Sequence, residues 1–222
     1  MVGTNGRYLQ TSDVEVLGTV QPDYNLGLST RFNYKGFSLS ALVDIQKGGS
    51  YFSTNYMWGM SSGMLSETTV ENENGVNIRE DIENGGGVTL NGVYGYVNED
   101  GAIVYTDEEG NLSETPVENT TTISAVRYAA DHYARSDAQS IFDADYIKLR
   151  ELRLGYKVPS KYTGPLKNVN VAVWGRNLFI WGLDNEHIDP ETAVTTSGNV
   201  QGIEGGALPS LRTFGFNVSF NI

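Results

Sequence analysis

The chain has 222 residues, enough for one sizeable domain or two small ones with an apolar core. Hydrophobic residues make up 39%, and no run approaches the ~18 apolar residues of a membrane-spanning helix. Cysteine is absent, which excludes disulfides, thiol nucleophiles and thiolate metal centres, and the two histidines, His132 and His187, lie far apart. The net charge of −12 comes entirely from residues 67–118, where thirteen acids from Glu67 to Glu118 face one base, Arg79; the remainder holds fourteen acids and fourteen bases. Such a balance repels nucleic acid. Lacking a D-x-D-x-D-G loop, the acidic window reads as a solvated, partly flexible connection rather than a calcium site.

Five segments alternate with a period of two, the mark of strands. In 25–35, Leu26, Leu28, Phe32 and Tyr34 share a face with Thr30, while Gly27, Ser29, Arg31, Asn33 and Lys35 share the other. In 37–46, Phe37, Leu39, Ala41, Val43 and Ile45 oppose Ser38, Ser40, Asp44 and Gln46, with Leu42 the exception. Segment 145–157 is irregular at its start, and its later half sets Leu152, Leu154 and Tyr156 against Glu151, Arg153 and Gly155. Segment 168–181 sets Val169, Val171, Val173 and Phe179 against Asn170, Ala172, Trp174 and Arg176. In 213–222, Phe214, Phe216, Val218, Phe220 and Ile222 alternate with Gly215, Asn217, Ser219 and Asn221.

The connections alternate short, long, short, long. Lys35-Gly36 is a tight turn, residues 47–143 a long excursion, Val158–Lys167 a short link with Pro159, Gly164 and Pro165, and 182–212 a second excursion. Within the longest connection, 50–65 and 124–140 read as short helices and Val88–Tyr105 as an extra hairpin. Alternation alone fits a soluble β-sandwich or a membrane β-barrel. Strand lengths near the ~9–11 residues of a tilted span, small polar residues on the second face, and the loop rhythm favour the barrel. With long loops external, Tyr34, Phe37, Tyr156 and Phe220 fall near the periplasmic interface, and Tyr146, Phe179, Trp181 and Phe214 near the outer one. Five strands cannot close, so a barrel reading makes the chain part of something larger. No basic stretch followed by an apolar one comes after Met1, so the sequence as given shows no export signal.

Six landmarks make the reading specific. Asp145-Tyr-Ile-Lys-Leu-Arg-Glu-Leu-Arg-Leu-Gly-Tyr-Lys-Val-Pro159, Trp174-Gly-Arg-Asn-Leu-Phe179, Asp189-Pro190-Glu191 and Leu208-Pro-Ser-Leu-Arg-Thr-Phe-Gly-Phe216 follow in order. Gly18-Thr-Val-Gln-Pro-Asp-Tyr24 and Asn33-Tyr-Lys-Gly-Phe-Ser-Leu39 precede them. Together, over 18–216, they resemble the C-terminal part of SusC/RagA-type TonB-dependent outer-membrane transporters. The resemblance implies an all-β fold: antiparallel strands forming the C-terminal segment of a 22-stranded transmembrane barrel, with external loops 47–143 and 182–212. It implies one continuous piece over 1–222, with the plug, TonB box and N-terminal strands outside this sequence. It also implies import of a glycan or peptide, a SusD-like surface lipoprotein and the TonB complex as partners, a place in the outer-membrane bilayer, no cofactor and no enzymatic activity.

Three sets of residues are candidate sites. Phe214, Phe216, Val218, Phe220 and Ile222 resemble the C-terminal signal read by the barrel-assembly machinery, which recognises a strand by edge pairing, and the same residues serve as a lipid-facing row. Trp58, Tyr94, Tyr96 and Trp181 are candidate substrate-contacting aromatics of the loops, with anchoring or packing as the competing role. Asp189 and Glu191 have the chemistry of an acid–base pair, weighed against a structural family loop with no nucleophile beside it. Two other readings stay open: a soluble or surface-attached carbohydrate-binding β-sandwich and, more remotely, a hydrolase using Asp189 or Glu191.

Overall fold

The computed structural model describes residues 1–10, 14–135, 137–194 and 201–222, so Ser136 within the expected 124–140 helix and 195–200 of the second excursion lie outside the described residues. In chain order the strands are β1 (Tyr24–Tyr34), β2 (Phe37–Lys47), β3 (Ser50–Ser53), β4 (Val88–Thr89), β5 (Gly95–Val97), β6 (Ile103–Tyr105), β7 (Thr122–Ile123), β8 (Ile141–Asp143), β9 (Tyr146–Lys157), β10 (Lys167–Trp181), β11 (Ile203–Glu204) and β12 (Thr213–Asn221). Among the described residues three α-helices accompany them: α1 (Thr54–Ser61), α2 (Ala125–Ala134) and α3 (Glu191–Val194). Two compact units result, one of residues 1–17 and 54–140, the other of 18–53 and 141–222.

The second unit is built on an antiparallel sheet of the five long strands, in the order β1-β2-β9-β10-β12. β1 and β2 are joined by Lys35 (φ 45°) and Gly36 (φ 91°), a two-residue turn of the left-handed kind that matches strand twist. Register places like with like. Phe32 faces Leu39, Leu39 faces Leu154, Leu154 faces Val173 and Val173 faces Phe216, so one apolar row crosses all five strands. Tyr34, Phe37, Tyr156, Val171 and Val218 form the next row, and Leu26, Ile45, Ile147 and Trp181 a row towards the long-loop end. This face is bare: Phe32 is 64% exposed, Val173 58% and Phe216 79%. A soluble sandwich would cover such a face with a second sheet.

The irregular start of β9 has a structural cause. Between the pairs Leu42–Glu151 and Val43–Leu149 the register of β2 and β9 slips, leaving Arg150 as an extra residue. The bulge keeps Ile147 and Leu149 on the same face as Leu152 and Leu154, although simple alternation separates them. On the other side of β9 the register with β10 slips between Arg176 and Phe179. There Asn177 takes φ 52°, a left-handed conformation that Asn tolerates better than most residues, and its side-chain amide donates to the Leu211 carbonyl at 3.1 Å. The Gly-Arg-Asn-Leu-Phe segment therefore carries its Asn where the strand is kinked. Gly215 has a similar local reason, because a Cβ there would sit 2.4 Å from the Trp174 ring.

Beside the main sheet, β3 pairs antiparallel with β8 and parallel with β11, a parallel pairing absent from the sequence reading. Tyr51, Ala144 and Ile188 with Phe142 make the small core beneath it.

The first unit gives the expected solvated acidic connection a definite local structure. Its acids lie on an ordered succession of turns closed by Asn and Asp side chains. Asn72 Oδ1 accepts from the backbone N–H of Asn74 and Val76, Asn98 Oδ1 from Asp100 and Ala102, and Asp107 Oδ1 from Glu109 and Asn111. The expected hairpin is the shorter pair β5–β6, while β4 pairs instead with β7. α1 and α2 are shorter than their expected spans. Ser124 caps α2 by accepting from the Arg127 N–H at 3.3 Å.

Candidate functional site: a charge lock on the polar face

Opposite the apolar rows, the sheet presents Ser38, Ser40, Arg31, Arg153, Trp174 and Arg176. Arg176 pairs with Glu151 at 2.9 Å and lies over the Trp174 ring, 5.1 Å from its centroid. On this face Lys148 and Arg150 of β9 meet the Asp189-Pro190-Glu191 loop. Lys148 Nζ donates to both Asp189 carboxylate oxygens and to Glu191 Oε2, each at 2.7 Å. Arg150 holds Glu191 through two parallel bonds, Nη1 to Oε2 at 2.8 Å and Nη2 to Oε1 at 2.7 Å, and its Nε donates to Asp44 Oδ2 at 2.6 Å. Alternation puts Lys148 and Arg150 on one face, and the bulge after Arg150 brings Glu151 to that face as well.

The loop is organised to match. The Glu191 N–H and the Thr192 N–H close onto Asp189 Oδ1 and the Asp189 carbonyl at 3.1 and 3.0 Å, and Pro190 is fully buried. Lys148 and Asp189 have side-chain exposures of 4% and 9%, so their attraction is little screened. Two of the six sequence landmarks are thus halves of one lock: the Lys-x-Arg of one binds the Asp-Pro-Glu of the other across 41 residues of chain. The lock pins Asp189 and Glu191 to the sheet.

The same geometry removes the acid–base reading. The Arg150 guanidinium, then Lys148, hold the Glu191 carboxyl down to about 2, so it has no proton to give near neutrality. Because the folded-state value lies below the ordinary 4.5, the Glu191 contribution is complete above about pH 5 and is lost as pH falls through 4.5 towards 2. Hydrogen exchange of amides 186–192 in the full-length protein, corrected for intrinsic rates, should be unchanged from pH 7 to 5 and speed up only below pH 4. Glu191→Gln should exchange fast throughout.

The candidate aromatics do not form one set. Tyr94 is wholly buried; its hydroxyl accepts from the N–H groups of Thr120 and Thr121 at 2.9 Å each and bonds Thr121 Oγ1 at 2.6 Å. It is a packing residue, with no ring face for a ligand. Trp58 and Tyr96 are exposed in the first unit, and Trp58 lies against Tyr133 of α2 with centroids 4.5 Å apart, a partner that α2 supplies and the sequence did not reveal. Trp181, half exposed in the second unit, stacks on Phe179 at 5.5 Å and 19° on the apolar face. Phe214, Phe216, Val218, Phe220 and Ile222 are all exposed, the first three paired with Gly175, Val173 and Val171. The first unit also holds an open cavity of about 920 Å³ between Arg79, Glu80, Asp81 and Glu83 on one side and Ser124 and Ala129 on the other. His132 sits against Tyr56 and Tyr128, and burial lowers its pKa.

Over 96% of its length the chain is 24% identical to TonB-dependent receptor P3 of Formosa agariphila. The chain matches a segment of a TonB-dependent receptor. It spans 18% of that relative's length. Among solved structures its fold is similar to the RagAB peptide importer in the closed-closed state, with TM-score 0.51 and 16% identity, over 96% of this chain and 19% of that one. No family model matches the chain. The named relatives are a receptor and an importer, transporters rather than enzymes.

Proposed function

We propose that this receptor-type segment forms five adjacent strands of an outer-membrane barrel wall, with the bare face turned to lipid and the polar face to the lumen, in an importer of glycans or peptides. The observation that carries it is the five-strand apolar row of Phe32, Leu39, Leu154, Val173 and Phe216, exposed throughout and free of charge. Strands of 9–15 residues are long enough to cross a bilayer when tilted. The open edges of β1 and β12 are then closed by further strands of the parent protein, and Phe214–Ile222 serves the barrel-assembly machinery as well as the lipid face.

On this reading the 47–143 and 182–212 connections are external, where they meet substrate and a SusD-like lipoprotein. Trp58 with Tyr133, and Tyr96, are the loop aromatics placed to touch a sugar ring or peptide side chain. The similarity in fold to the RagAB peptide importer supports the peptide half of the substrate range. The charge lock then fixes an external loop to the inner wall, and TonB coupling belongs to the rest of the parent.

An epitope inserted in the Asn98–Gly101 turn between β5 and β6 should be labelled by antibody on intact cells. The same epitope at Lys35-Gly36 should be labelled only after the outer membrane is opened. The reverse pattern, or recovery of the parent outside outer-membrane fractions, would sink the proposal.

A further inference from the structure

The short-turn end of the sheet carries a charge opposite to that of the whole chain. Lys35 sits in the β1–β2 turn, and Lys157, Lys161 and Lys167 lie in and around the β9–β10 connection. The Lys157 N–H donates to the Gly36 carbonyl at 2.8 Å, and Lys167 lies opposite Asn221 of β12, so both turns and the end of the last strand share one rim. All four lysines are exposed, and none forms an ion pair among the described residues. No Asp or Glu occurs in 24–43, 152–183 or 205–222; the acids of this unit gather at the other end, as Asp23, Asp44, Asp145, Asp184 and Asp189 do. A molecule of net charge −12 thus keeps four lysines on one rim with no Asp or Glu side chain among them.

That rim borders the apolar face through aromatics. Tyr34, Phe37 and Tyr156 form the last row before it, and Tyr162 stands exposed beyond it. Lys35 and Lys161 lie over the Tyr34 and Tyr162 rings at 5.2 and 4.6 Å. Lysines with apolar stems above an aromatic girdle at the edge of a lipid-facing surface are placed to reach lipid phosphates.

We infer that this rim is a binding surface for anionic phospholipid headgroups, phosphatidylglycerol in chemical class, in the membrane leaflet at the short-turn end. The inference rests on the lipid-facing reading above. It predicts that the charge of the lipid, and not only its tails, is selected at this rim.

The test uses the full-length parent reconstituted in vesicles of phosphatidylcholine and phosphatidylglycerol, with the photo-crosslinker p-benzoylphenylalanine at position 162 or at position 216. At 162, phosphatidylglycerol adducts should exceed their share of the bulk lipid by about fivefold at low salt. The excess should vanish at 0.5 M salt and in the Lys35→Gln, Lys157→Gln, Lys161→Gln, Lys167→Gln variant; salt alone decides if that variant fails to fold. Adducts in the bulk ratio at 162, or a protein adduct there, would overturn the inference. If position 216 gave no lipid adduct, the membrane reading itself would fail, whereas lipid adducts at 216 with the bulk ratio at 162 would remove the rim proposal alone.

Discussion

Lys148→Met should destabilise the full-length protein by about 3–5 kcal/mol, the usual cost of removing one partner from a buried ion pair. Methionine keeps the length of the side chain, so packing changes little, but Asp189 and part of Glu191 stay buried without their ammonium partner. The side-chain exposures of 4% and 9% for Lys148 and Asp189 are what raise the expected loss above the ~0–1 kcal/mol of a surface pair. The loss should appear as a lower urea midpoint for the full-length protein in micelles with little change in slope. Adding Asp189→Asn should restore part of it, because the stranded charge goes and the two sites share one network. A loss under 1 kcal/mol would show that Arg150 alone holds the loop.

Val218→Arg and Ser219→Arg form the second large contrast. Val218 stands opposite Val171 in an apolar row, whereas Ser219 stands opposite Asn170 on the other face. If the first row meets hydrocarbon, Arg at 218 should cost about 1 kcal/mol, below the ~2–4 kcal/mol of mid-membrane because this row carries the Tyr34, Phe37 and Tyr156 girdle, and Arg at 219 should cost close to nothing. The pair differs by one residue in position, so depth, strand and neighbours are nearly matched. Equal costs, read by reversible unfolding into bilayers, would contradict the face assignment.

The strands were legible because each signals itself locally: a side chain alternates every residue, and Gly36 or Pro159 marks where alternation stops. The bulge was not legible in that way. A single extra residue at Arg150 reverses the phase within β9, so the segment looks irregular while its apolar face is continuous. The lock between Lys148, Arg150, Asp189 and Glu191 was visible only as two separate motifs, because the contact spans more than 40 residues and periodicity carries no information on such pairs. The burial of Tyr94 was not legible for a related reason. An aromatic in a long connection reads the same whether it is exposed, as Tyr96 is, or buried with its hydroxyl held by Thr120 and Thr121. The first unit was the least legible, since two-residue strands and side-chain-closed turns leave no period to read.

Spin-label accessibility along β12 tests the central claim most directly. Single nitroxides at 214, 215, 216, 217, 218 and 219 of the reconstituted full-length protein would be compared for collision with oxygen, which concentrates in lipid, and with a water-soluble nickel chelate. The account predicts a period of two, with 214, 216 and 218 favouring oxygen and 215, 217 and 219 favouring nickel. Strong nickel accessibility at all six positions would contradict it, because the Phe214–Val218 face would then meet water instead of lipid.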